Sequence, residues 1–271
     1  MSNVANNTDD WDQFPDDTAK SYLAVAKLYL EEIIETHALS AMRVMALLAV
    51  YFSFEKRMSS LVYVDSGLAI ARAQQVDTMT PTRETRRWKR TWCSLIFLGS
   101  WIASTVGRSI DPANHFHPSM LNWGTTMSIP DTIQLEMCKV AHLTGRILRD
   151  VYHAPSVDTG VVNMYKAELE SWLFSLPRFM RIDSLLANGS NEIPMRPIFL
   201  LHLLYLSTMG LIYRRILSEF AESPESLISN TTMEDVKHHL DACLWSSRQV
   251  SRILNVAMLN RHVTRKCWMF M

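Results

Sequence analysis

Thr80-Pro81-Thr82 breaks the stretch from Ser66 to Pro112 (SGLAIARAQQVDTMTPTRETRRWKRTWCSLIFLGSWIASTVGRSIDP) into two helical segments, and this constrains the chain more than any other feature. Pro81 lacks a backbone donor and disfavours helical geometry at Thr80, so the first segment must stop there. Thr82 can then accept a bond from a free backbone N–H and start the second segment. Beyond it, Trp88, Trp92, Leu95, Gly99, Ile102 and Val106 recur at steps of three or four, which predicts one helical stripe facing a core. Gly107 follows the last of them, where a residue tolerant of positive φ can end a helix.

Composition agrees with a helical protein. The 271 residues are 48% apolar and include only 8 Gly and 10 Pro beside 16 Met, which disfavours a turn-rich β fold. Formal net charge is zero, whereas a chain that binds a nucleic-acid backbone by itself usually carries a basic surplus. The run Arg83, Arg86, Arg87, Lys89, Arg90 is the exception. With Trp88 and Trp92 facing inward, Arg86, Lys89 and Arg90 are expected to form a solvated basic ridge. Cys93, Cys138, Cys243 and Cys267 lie too far apart for a zinc-finger pattern, and read as buried thiols in a reducing compartment.

The same spacing argument extends along the chain. Residues 1–16 are polar and acidic, and are expected to be a flexible lead-in rather than a signal peptide. From Thr18, capped by Asp17 or Thr18 itself, Tyr22, Val25, Ala26, Tyr29, Ile33 and Ile34 share a face. Met42, Met45, Leu48, Ala49 and Phe52 mark a second helix, and Val64, Leu68 and Ala71 a third, packed as antiparallel neighbours. Residues 108–130 read as a long irregular segment holding His115-Phe116-His117 and Trp123. Asp131 is a candidate cap for a helix through Ile133, Met137, Val140, Ala141, Thr144, Ile147 and Val151. A shorter helix covers Val161 to Leu176. After a break at Asn188-Gly189-Ser190-Asn191, a helix from Pro197 to Phe220 is apolar on most sides and should be central. Its apolar run, Ile198 to Tyr213, falls short of the roughly 20 residues of a membrane span. The last helix, capped by Thr231 or Thr232, carries the stripe Val236, Leu240, Cys243, Leu244, Val250, Ile253 and Leu254. The apolar end Cys267-Trp268-Met269-Phe270-Met271 is expected to dock.

Catalytic signatures are missing. There is no Gly-x-Ser-x-Gly turn, no Gly-rich phosphate loop, no His-Glu-x-x-His and no dinucleotide fingerprint. His115 and His117 have no obvious carboxylate or thiol partners for a metal. His238 and His239, beside Asp235, are adjacent on a helix and diverge, so a solvated face is expected there. The remaining enzyme reading is an all-α cavity for an apolar or prenyl substrate, using Asp9, Asp10 and Asp12 for magnesium-diphosphate chemistry. It lacks a second metal-binding motif downstream.

Several of these residues together resemble the middle homology region of fungal zinc-cluster transcription factors, the fungal-specific transcription factor domain. In that family a helix similar to Ala69-Ile70-Ala71-Arg72-Ala73 leads through a turn to an acidic residue, a basic pair, two aromatics and an apolar helix ending in Gly-Arg-Pro. Glu84, Lys89-Arg90, Trp92-Cys93, Leu95 to Leu98 and Gly107-Arg108 occupy those places. Cys93 stands where a second Trp is usual, Gly99 where Asp is usual and Ser109 where Pro is usual. Leu169, Trp172 and Leu176-Pro177 resemble the family's Leu-x-x-Trp and Leu-Pro. His202, Tyr205 and Arg214 resemble its His…Tyr…Arg-Pro helix, with Arg215 in place of the Pro.

The resemblance implies an all-α, multi-helix bundle-like domain over residues 17–271, truncated at its C-terminus relative to the family. It also implies transcription regulation in the nucleus, directed at metabolic or secondary-metabolite biosynthetic genes. Four cysteines cannot supply the six thiolates of a two-zinc cluster, so the expectation is a regulatory module without its own DNA reader. Its partners would be other transcription-factor subunits or co-regulators, in a homo- or heterodimer, with DNA reached only indirectly and no membrane. No enzymatic activity, cofactor or metal is expected. The motif positions Glu84, Lys89, Arg90, Trp92, Gly107, Arg108, Trp172, Pro177, His202, Tyr205 and Arg214 are the candidate structural or regulatory residues.

Overall fold

The computed structural model describes residues 16–108, 123, 124, 127–182, 195–222 and 233–259. Among them are nine α-helices and no strand, so the fold is all-α. In chain order these are α1 (Asp16–Leu28), α2 (Leu30–Thr36), α3 (Ala38–Phe54), α4 (Ser59–Ala73), α5 (Arg83–Val106), α6 (Ile129–Ile147), α7 (Thr159–Ser175), α8 (Met195–Glu222) and α9 (Met233–Leu259). Asp9, Asp10, Asp12, His115, His117, the Asn188–Asn191 break, Thr231, Thr232 and the segment from Cys267 lie outside the described residues.

The helix ends follow capping chemistry. Thr82 and Thr85 form a reciprocal capping box at the head of α5, and Gly107 closes its tail in the left-handed region with φ 67°. At α6 the expected cap is corrected. Ser128 is the N-cap and Asp131 is the third helical residue, whose carboxylate reaches back to the Ser128 N–H at 3.2 Å. Pro130 sits in the first turn, where the chain has backbone donors to spare. The helical ladder also continues across Tyr29, from Tyr29 N–H to the Val25 carbonyl and from Ile33 N–H to the Tyr29 carbonyl, so α1 and α2 form a nearly continuous rod.

Two helices are buried on most sides. One is α8, as its composition predicts. Its helix is longer than the apolar run alone, long enough to cross a membrane, but 67% of its most apolar window is buried within the fold. The other is α5, which packs against α3, α4, α6 and α8 and buries Cys93, Ile96, Phe97, Ser100 and Trp101 besides its expected stripe. Val106, the last residue of that stripe, is exposed instead.

Successive contacts between α5 and α6 run in the same order along both helices. Arg90 bonds Asp131, Ser94 meets Gln134 and Ser100 donates to the Ala141 carbonyl, so the two helices are parallel. Parallel neighbours need a connection that returns along the first helix, here about 36 Å at 1.5 Å per residue. Trp123, fully buried, and Gly124, beside Pro81 and Arg86, mark that return at the head of α5. The length of the segment after Gly107 thus has a topological reason.

Two faces differ from the period-based expectation. Tyr22 is 73% exposed, and Val25 and Tyr29 are exposed too, while Leu23, Ala26, Leu30, Ile33 and Ile34 are the half-buried side of the rod. On α9, Leu240 and Leu244 point to solvent, and the buried line runs through Ser246, Ile253 and Ala257.

Candidate functional site

The eleven motif residues fall into two buried groups and a scattered remainder. The first group is at the head of α5. Lys89, expected on a solvated ridge, is only 2% exposed. Burial pushes its ammonium below the ordinary lysine value, against the opposing pull of Cys93 and Asp77. Arg90 donates Nε to Asp131 Oδ1 at 2.7 Å, and Arg86 Nη1 stands 3.7 Å from Oδ2 of the same carboxylate. The expected basic ridge is therefore corrected: α5 packs on α4 and α6 together, so only Arg83 and Arg87 of that run stay fully exposed.

Asp131 is 1% exposed and is the centre of this group. Burial alone would raise its carboxyl. Hydrogen bonds from Arg90 and Ser128 outweigh that and hold it below the usual carboxylate range. Trp92 is buried on α5, whereas Glu84 stands exposed in the first turn. Further along the α5–α6 interface, Cys93 and Cys138 are buried free thiols. The hydrogen bond with Cys93, together with burial, pushes the Cys138 thiol well up and keeps it protonated.

The second group joins α6, α7 and α8. Trp172 donates its indole N–H to Glu136 Oε2 at 2.9 Å, and Lys139 holds the other oxygen at 2.7 Å. The Trp172 ring lies 5.9 Å from that of Tyr205. Burial, with Glu170 and Tyr213 nearby, pushes the Tyr205 hydroxyl up to about 12. His202 Nε2 is 2.7 Å from the carbonyl oxygen of Met180, on the short 3₁₀ turn Arg178–Met180 that Pro177 begins. Two stretches well separated in sequence, Trp172 to Pro177 and His202 to Tyr205, thus meet in one packed node.

Gly107, Arg108 and Arg214 belong to neither group. Arg108 and Arg214 are exposed, and Gly107 approaches Tyr152 in a π-helical turn, Leu148–Tyr152, that extends α6. Beside that turn is a network that residue spacing gave no reason to single out. Tyr165 donates to Asp150, Arg149 pairs with Asp150, and Arg146 stacks over the Tyr165 ring while bonding Glu168 at 2.8 Å. Burial and the two arginines lower the His142 imidazole to about 4. A helix-period signal places Arg146 and Arg149 on one face of α6, but it cannot pair them with α7.

Asp131, Glu136, Asp150 and Glu168 are each paired with a cation or an N–H. Among the described residues no set of three His, Cys, Asp or Glu side chains could hold a metal ion. His239 packs its ring 5.8 Å from Tyr213 rather than standing in solvent, and His238 is exposed. Comparison with family models, with curated proteins and with solved structures gives no match.

Proposed function

We propose that this chain is a regulatory module of the fungal zinc-cluster transcription-factor type, acting in the nucleus on metabolic or secondary-metabolite biosynthetic genes. It works through other transcription-factor subunits or co-regulators, as a homo- or heterodimer, and reaches DNA through them. Its own 271 residues hold four cysteines, too few for a six-thiolate zinc cluster.

The observation that carries the reading is the node of Trp172, Pro177, His202 and Tyr205. Trp172 and Tyr205, matched to two separate stretches of the family pattern, have ring centroids 5.9 Å apart, and the turn that Pro177 begins offers the Met180 carbonyl to His202. That proximity supports the resemblance.

Tethering the chain to a heterologous DNA-binding domain upstream of a reporter tests the proposal. A several-fold change in transcription, in either direction, is the expected result. An unchanged reporter with folded, nuclear protein would overturn it. The clause about DNA is tested separately by gel shift: tight, sequence-selective binding of the purified chain at physiological salt would refute it.

A further inference from the structure

We draw no further inference here: the strongest candidate, the apolar row of Tyr22, Val25, Leu28 and Tyr29 exposed along α1, carries nothing because nothing in the structure shows what covers it.

Discussion

At the scale of single residues, Asp131 and His142 show how burial acts in opposite ways on acids and bases. Asp131 sits where two arginines and a capping hydroxyl satisfy its charge. Asp131→Ala strips the partner from Arg86 and Arg90 and half of the α6 capping box. Arg90 is partly solvated, which moderates the loss, so about 2 kcal/mol of destabilisation in urea titration is expected. A change below about 0.5 kcal/mol would show the cluster to be idle. Because the native carboxyl is depressed, its contribution is complete above its unfolded value near 4. It disappears as pH falls through the lower native value. His142 acts in a different window. With a native value of about 4 against 6.5 when exposed, it stays neutral in the fold while the unfolded imidazole takes up a proton. The His142 contribution to stability should therefore decline from pH 6.5 down to about 4 and then level off. His142→Gln should flatten that slope in pH-dependent thermal melts, and an unaltered slope would contradict the assignment.

At the scale of elements, close approach and capping decide more than apolar content. A Cβ built on Gly67 of α4 would lie 2.9 Å from Leu95 Cδ1 and 3.3 Å from Met45 Cβ. Gly67→Val should cost about 1–3 kcal/mol by overpacking, measured as a lower denaturation midpoint. Thr82→Ala removes the acceptor for the Thr85 N–H and should cost about 1 kcal/mol. An unshifted melting temperature would mean that Thr85, which also bonds the Thr80 carbonyl, holds the turn alone. Helix positions were readable from period and punctuation, because both are local. What those signals lack is the number of neighbours a helix has. A stripe predicts one partner, but α5 has four, and that is why Lys89 is inside. Conversely, Tyr22 and Val25 obey the period of a buried face and are exposed, because period fixes which residues share a side and not whether anything lies against it.

At the scale of the whole molecule, one apolar cluster runs from Met42 on α3 to Ala257 on α9 and includes Trp92, Trp101, Trp123 and Trp172. Such continuity predicts a single cooperative unfolding transition, with far-ultraviolet dichroism and tryptophan fluorescence superimposing in urea. Two separated transitions would show that the helices divide into independent units. The second group of motif residues was legible as a list and not as a place. Trp172 on α7 and Tyr205 on α8 come together through the packing of α6, α7 and α8, where the buried hydroxyls of Thr144 and Thr208 also meet, 2.8 Å apart, a contact with no sequence signature.

The side-by-side, same-direction arrangement of α5 and α6 has an electrostatic outcome. Backbone dipoles of antiparallel neighbours largely cancel, whereas here both positive poles lie at one end of the pair and both negative poles at the other. Glu84 and Asp131 at the positive end, and Arg108, Arg146 and Arg149 at the negative end, have the sign that the local field favours, whereas Arg83, Arg86 and Arg87 at the positive end oppose it. Asp131 thus answers both the poles of the two helices and the arginines gathered there, and reversing its charge should cost more than the loss of the individual contacts.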